Sequence, residues 1–417
     1  MTATLRGEKA LGTPPVDAIR RHFPALERAH GAQPVAYFDG PGGTQVPRQV
    51  VSAMAEYLFH HNANTHWNYP SSAETDAAID QARDTVAEFI GARPNEIAFG
   101  LNMTTLAYHA SRALAPRLKP GDTVVVTELD HHANIAPWTR LESERGVTLR
   151  WVRMRREDGT LDWSDLEEAV ASGAKLVAIG AASNALGTIT DVRAVCAMAR
   201  AVGALSFVDA VHLAPHVSID VAAIDCDFLA CSAYKFYGPH NGFLYARSAL
   251  GAELDVPKLR PAPELMPERL ETGTQNHEGI VGTAAAIDFL ASLGAGVARR
   301  ERLLAAYREL AARSEALFNE LWEGLGAVPR VRRYGLPPGA SRTPTLSFVV
   351  DGVSSDDVAR ALATQGVFVS NGDFYAATVV ERLGHERDGL VRAGVSIYTT
   401  SDEIQRLVRA VHDLVRR

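Results

Sequence analysis

The stretch CSAYKFYGPHNG, Cys231 to Gly242, sets one lysine among apolar and aromatic residues at the end of an apolar run. An ammonium stripped of water has a lowered pKa, so Lys235 is a candidate for Schiff-base chemistry. Asp209, inside LSFVDAVHLA, meets the opposite difficulty. A carboxylate desolvated by apolar neighbours requires a cation or an N–H donor. Taken singly, Asp209 reads equally as a cap or turn residue, and Lys235 as a surface lysine whose stem lies along apolar surface.

The pair is more informative than either member. An aspartate 26 residues ahead of a strand-end lysine fits pyridoxal 5′-phosphate, with the lysine on its aldehyde and the aspartate on its ring nitrogen. The phosphate then needs a cradle. In EIAFGLNMTTLAYHASRAL, Thr104 and Thr105 open an amphipathic segment, where hydroxyls and free backbone N–H groups favour an anion. Ser232 offers a further hydroxyl. Read alone, the two threonines are no more than a helix start.

The elements that must position these residues follow from patterning. VVVTEL (124–129), LRWVRM (149–154), KLVAIGAAS (175–183), LSFVDAV (205–211) and FLACSA (228–233) read as strands, separated by helix-periodic segments such as DLEEAVAS and VRAVCAMARAVG. Apolar runs without strict alternation indicate a mostly parallel α/β sheet covered on both faces. In such sheets ligands bind beyond the carboxyl ends of the strands, which here carry ELDHHAN, ASNALG, VDAVH and SAYK. After Gly294 a long amphipathic helix leads into TPTLSFVV (strand), SSDDVARALATQG (capped helix), GVFVS and LVRAGVSIY (strands) and SDEIQRLVRAVHDLVRR (helix). The expected organisation is an N-terminal segment, 1–35, packing on the small domain; a large cofactor-binding α/β domain, 36–293; and a small α+β domain, 294–417.

The 417 residues, 47% hydrophobic and 22% charged, allow a sizeable core and match ordinary globular composition. A net charge of −7 advertises no nucleic-acid or anionic-membrane partner. The N-terminal MTATLRGEKALGTPP has no apolar signal region and no run is long enough to span a membrane, so a cytoplasmic protein is expected. Cys196, Cys226 and Cys231 lack CxxC spacing, which argues against a disulfide framework or structural zinc.

Several motifs resemble the class V aminotransferase family of fold-type I pyridoxal phosphate enzymes, in particular its cysteine desulfurase and selenocysteine lyase branch. The resemblance runs from Tyr37 to the C-terminus and implies a seven-stranded large-domain sheet. YFDGPGGTQVP is similar to the entry motif and NANTHW to a substrate-pocket segment, with His66 at the matching histidine. ELDHHANIAPW implies that His131 stacks on the pyridine ring, and SNALG puts Asn184 near the cofactor's phenolic oxygen or the substrate carboxylate. VDAVH matches V-D-G-A-Q, giving Asp209 the ring nitrogen and leaving His212 where glutamine is usual. SAYKFYGP matches S-G-H-K-x-Y-G-P, so Lys235 is the implied Schiff-base residue, with Tyr234 in place of histidine. RLETGTQN implies that Thr274 reaches the phosphate of a neighbouring subunit, hence a homodimer. LVRAGVSIYTT implies that Arg392 holds the α-carboxylate of an amino acid substrate.

Departures from the pattern bear on the reaction. Desulfurases carry a nucleophilic cysteine on a small-domain loop of the form V-R-T-G-H-H-C, and here the run is VFVSNGDFYAA. Tyr375 takes the cysteine position, Ser370 the arginine position, and Trp67 stands where the pocket segment usually has arginine. The resemblance therefore implies an enzyme that breaks a Cα–H bond, with Lys235 as base, and then eliminates a sulfur group from Cβ of cysteine or a cysteine derivative, Tyr375 shaping the pocket. Transamination and epimerisation use the same leading residues and stay open.

Rival readings are weaker. Ser232-Ala-Tyr-Lys235 satisfies S-x-x-K, but S-D-N and K-T-G do not occur. GPGG at 40–43 lacks G-x-G-x-x-G spacing, and His131-His132 has no further ligands at metal-binding spacing. A non-catalytic scaffold of the same fold would not be expected to keep Lys235, Asp209 and Arg392 together.

Overall fold

The computed structural model of the chain describes residues 13–31 and 33–416. Seven strands build the main sheet: β1 (Ile97–Gly100), β2 (Thr123–Thr127), β3 (Thr148–Val152), β4 (Ala174–Gly180), β5 (Leu205–Asp209), β6 (Phe228–Ser232) and β7 (Gly242–Ala246). Their spatial order is β1-β7-β6-β5-β4-β2-β3, and β7 alone runs antiparallel to its neighbours. Successive residues feed two cores. Val177, Ile179, Val208, Leu229 and Cys231 face one layer, while Leu176, Ala178, Phe207, Phe228 and Ala230 face the other. Strands covered on both faces need no polar side, which explains their unbroken apolar sequences.

The five strands expected from apolar runs are present, each ending one to three residues sooner than its run. β1 and β7 carry no comparable signal in the sequence, because IAFG and GFLYA are short and abut glycine or the turn PHNG. After β1, helix α1 (Met103–Leu114) starts from the N-cap Asn102, whose side chain accepts the Thr105 N–H.

Helix α2 (His277–Ser292) packs on the main core, and α3 (Arg299–Gly326) follows it. The first half of α3 gives Leu303, Tyr307 and Leu310 to the main core, and the second half gives Phe318, Leu321 and Leu325 to another. That second core is covered by an antiparallel sheet of β8 (Val331–Tyr334), β9 (Thr345–Val350), β10 (Ser370–Gly372) and β11 (Leu390–Gly394), ordered β8-β9-β11-β10. Helices α4 (Ser355–Ala363) and α5 (Ser401–Arg416) pack on it. Each has a side-chain cap, from Ser354 and from the reciprocal Thr400–Glu403 pair.

The expected strand GVFVS is split in two. Val367–Phe368 pairs in parallel with Ala36–Tyr37, and Ser370–Gly372 joins β11. LVRAGVSIY stops being a strand at Gly394, where any side chain would collide with Pro41 and the backbone N–H bonds Phe38 instead. This contact lays the segment 37–43 across the end of β11.

We propose the division of the chain at 293/294, with α3 contributing to both cores. Of the expected N-terminal segment, residues 1–12 and 32 lie outside the described residues. The rest touches both units: Phe23 stands edge-on to Tyr237, Phe289 and Tyr398, and Arg20 pairs with Glu403 at 3.0 Å. Among the described residues no helix is long and apolar enough to cross a membrane.

Candidate active site

Parallel strands bring their carboxyl ends to one edge of the sheet, where β5 ends on Asp209 and β6 on Ser232, three residues before Lys235. Thr104, His131, Asn184, Asp209, His212, Ser232 and Lys235 line one pocket there, with about 480 Å³ of atom-free space. Residues spread over 132 positions of sequence thus share a single cavity, as the carboxyl-end rule for such sheets requires.

Lys235 donates through Nζ to the backbone carbonyls of Pro41 and Gly42, at 2.6 and 3.0 Å. Among the described residues no carboxylate lies within 4 Å of it. Burial, reinforced by the charge of Arg392, pushes its pKa down to about 7. Asp209 is buried, and its Oδ1 accepts the Val211 N–H at 2.9 Å. Desolvation raises it to about 6, only partly opposed by that bond and by Lys235. A carboxylate so placed, with no cation in ion-pair contact, suits a protonated ring nitrogen.

His131 lowers to about 4, first through burial and then through Lys235 and Arg392, so its ring is neutral near pH 7. Its Nδ1 accepts the Ala133 N–H at 3.0 Å. Asn184 donates to the Phe374 carbonyl at 2.9 Å, while its buried Oδ1 has no partner. His212 is held by Thr343 and Thr345, each 3.1 Å from Nε2. Burial keeps it well below the usual imidazole range.

At the other end of the pocket, Ser232 Oγ accepts the Met103 N–H at 2.8 Å. Thr105 is not free in the same way as Thr104. Its hydroxyl accepts from Asn102 N at 3.2 Å and donates to Asn102 O at 2.9 Å, closing the capping box of α1. Thr104 lines the pocket and makes no such bond among the described residues.

Arg392, on β11, is buried beside the pocket. It donates to the Asn184 carbonyl at 2.9 Å and towards Ser370 Oγ at 3.4 Å, and its guanidinium lies 4.2 Å from the Phe374 ring. Its Nε has no partner, and among the described residues no carboxylate comes within 4 Å of the guanidinium. Asp39 is close enough to be felt as charge but makes no ion pair. Burial lowers Arg392 to about 9.

Tyr375 stands at the mouth, 75% exposed, its ring 5.6 Å from that of His131 and inclined by 31°. It and Phe374 both have left-handed backbone, at φ 55° and 57°. Such geometry costs an ordinary residue about 1–2 kcal/mol. It is held by the His132 N–H on Tyr375 O at 2.7 Å and by Asn184 on Phe374 O. Trp67 is exposed elsewhere on the surface.

Of the expected site residues, Thr105, Arg392 and Tyr375 border this pocket without lining it, and His66 and Thr274 lie apart from it within one chain. The His66 ring lies 3.4 Å from both Asp76 and Glu268, and together with Thr274 it lines a different, more open cavity with about 1340 Å³ of atom-free space. The residues missed from sequence are partners. Pro41 and Gly42 act through carbonyls, which leave no side-chain signature. Thr343 and Thr345 come from a distant strand start. Asp130, raised to about 7 by burial, accepts from Thr127 and Asn134 at 2.8 and 2.7 Å, and nothing in ELDHHAN singles it out.

The donor set fits pyridoxal 5′-phosphate: an amine of lowered pKa, a desolvated carboxylate, a neutral imidazole, an orphaned amide oxygen, and a helix N-terminus with a free hydroxyl. Fold and site together define an α/β enzyme that works through a carbonyl cofactor.

The family model described as aminotransferase class-V matches residues 36–407. The cysteine desulfurase of Pectobacterium carotovorum is 32% identical over 96% of this chain and 98% of its own length. The probable cysteine desulfurase of Streptomyces coelicolor is 34% identical over 94% and 95%. Among solved structures, the apo cysteine desulfurase of Thermococcus onnurineus superposes with a TM-score of 0.88 at 30% identity, covering 98% of this chain and all of that one. The Escherichia coli cysteine desulfurase CsdA, in an S-sulfonic acid form, gives 0.84 at 25% identity over 97% and 99%. The chain belongs to the class V aminotransferase family and is a pyridoxal phosphate-dependent, cysteine desulfurase-like enzyme.

Proposed function

We propose that this enzyme is a C–S lyase, cleaving cysteine or a cysteine conjugate by β-elimination without a protein persulfide. Bound pyridoxal phosphate supplies the covalent link to lysine and the electron sink for carbanion chemistry. Asp209 keeps a proton on the ring nitrogen, and His131 packs against the ring as a neutral surface. Thr104 and Ser232 with the start of α1 would receive the phosphate, while Thr105 holds that helix start through its cap with Asn102. Asn184, through its side-chain amide, and His212 would serve the ring oxygen. Arg392 binds the α-carboxylate, Nζ of Lys235 removes the Cα proton, and the thiolate departs from Cβ with the bonding electron pair and takes up a proton to become the thiol. The sum is conjugate plus water giving thiol, pyruvate and ammonia.

The observation that carries this reading is the Arg392 guanidinium, buried with neutral partners only. A buried charge without a counter-ion is strongly unfavourable, and an amino acid carboxylate resolves it. Against a persulfide step stands the burial of Cys196, Cys226 and Cys231, none of which lines the pocket. Tyr375 at the mouth and the adjacent Phe374 favour a substrate with a bulky sulfur substituent. We further propose a cytoplasmic homodimer, in which Thr274, and with it His66, serves the pocket of the other copy.

The test is a mass-spectrometric product screen over cysteine, S-alkyl and S-aryl cysteines and common amino acids, with Arg392→Met in parallel. Pyruvate and thiol in equal amounts, lost about a hundredfold in kcat/KM by Arg392→Met, are expected; this corresponds to about 3 kcal/mol, as for one partner of a buried charged pair. A keto acid without thiol, or an inverted amino acid, would replace elimination by transamination or epimerisation.

A further inference from the structure

A further cavity, with about 780 Å³ of atom-free space, shares no lining residue with the Lys235 pocket. Leu310 and Phe318 of α3, with Val395 and Ile397 beyond β11, give it apolar walls, and Arg342 and His216 are its basic groups. It is formed where the two cores meet along α3.

Arg342 repeats the predicament of Arg392. Its guanidinium carbon lies 4.0 Å from the Phe318 ring centroid and 5.4 Å from that of Trp322. Nε and Nη2 donate to the backbone carbonyls of Thr343, Leu186 and Thr345, and buried Nη1 has no partner. Among the described residues no carboxylate lies within 4 Å of it, including Glu315 at the cavity rim. Burial lowers the guanidinium to about 9, which leaves it charged near pH 7. His216, lowered to about 4 by burial, is a neutral ring, and its side chain makes no hydrogen bond among the described residues.

One uncompensated positive charge, one neutral donor or acceptor and apolar walls select a ligand by simple complementarity. The charge favours a monoanion, the unpartnered Nη1 offers one hydrogen bond to a carboxylate oxygen, and the walls favour a compact apolar body. We infer that this cavity is a binding site for a small monocarboxylate bearing a compact apolar group, with the carboxylate on Arg342 and the apolar group between α3 and the segment after β11. The site stands one residue from the catalytic pocket, because Thr343, on its wall, also bonds His212.

Calorimetric titration of the holoenzyme with benzoate tests this. In the Arg392→Met holoenzyme, which lacks the α-carboxylate site, saturable binding of one benzoate per chain is expected, weakened at least tenfold when Arg342→Met is added and absent with benzamide. Ser314→Phe, which fills the cavity from α3 without touching Arg342's backbone partners, weakens binding in the same way and serves if Arg342→Met does not fold. No saturable binding, or binding lost in Arg392→Met and kept in Arg342→Met, would overturn the assignment.

Discussion

The Lys235 ammonium donates to the Pro41 carbonyl across 2.6 Å, joining the end of β6 to the segment that Gly394 holds against β11. A charged donor therefore rests on neutral carbonyls at the seam of two cores, with Arg392 adding repulsion. Burial first and Arg392 second favour the neutral amine over the ammonium that the carbonyls accept from, and only the neutral amine attacks an aldehyde.

Cofactor uptake should record that titration. With the pKa of Lys235 lowered from 10.5 to about 7, the rate at which cofactor-free protein acquires its absorbance on mixing with pyridoxal phosphate rises through pH 7 and levels off about one unit above. The stability sign agrees. Folded chain binds fewer protons than unfolded chain between about 7 and 10.5, so the destabilisation from Lys235 is full below about 7 and is relieved as pH rises towards 10.5. Lys235→Ala should leave the circular dichroism unchanged and leave no cofactor fixed to the chain after borohydride reduction. A rate independent of pH between 6 and 9 would remove the lowered amine from the account.

Thr104 and Thr105 are adjacent and chemically identical, yet the structure gives them different work. Thr105 closes a capping box with Asn102, whereas Thr104 faces the pocket. Thr105→Val should cost cofactor-free protein about 1 kcal/mol in urea unfolding, the usual loss for a helix cap. Thr104→Val should leave that stability within about 0.5 kcal/mol and weaken phosphate-cofactor binding about tenfold, as loss of one hydrogen bond to an anion predicts. The opposite pattern would exchange the two roles.

What could be read from sequence depended on the kind of signal. Strands β2 to β6 are legible because burial on both faces demands unbroken apolar runs, and their ends point to Asp209, Asn184 and Lys235. Arg392 and Tyr375 were found through motif resemblance, since nothing local distinguishes a buried arginine on a small-domain strand. Phe374, the Pro41 carbonyl and the Thr343–His212 bond were not legible. Each is a contact between segments far apart in sequence, and two of them use backbone or loop geometry that residue identity does not encode. Splitting of GVFVS likewise follows from pairing with Ala36–Tyr37, a tertiary event.

The cysteines give the sharpest test of a persulfide-free reaction. Cys196 lies in the helix Val192–Ala201, Cys226 precedes β6 and Cys231 lies within it, all three buried. Burial pushes the Cys196 thiol up to about 11 and the other two upward as well, so thiolate is scarce near neutrality. The thiolate is the reactive form, and a buried one is out of reach of both alkylating agent and substrate. Iodoacetamide at pH 7 should therefore leave native turnover unchanged over a time that fully alkylates the protein in denaturant. Single Cys→Ala variants should lose about 1 kcal/mol of stability through small cavities while keeping kcat per folded chain within about twofold. Stoichiometric inactivation accompanied by alkylation of one cysteine would instead mean that a thiol reaches the substrate sulfur, and elimination without persulfide would have to be abandoned.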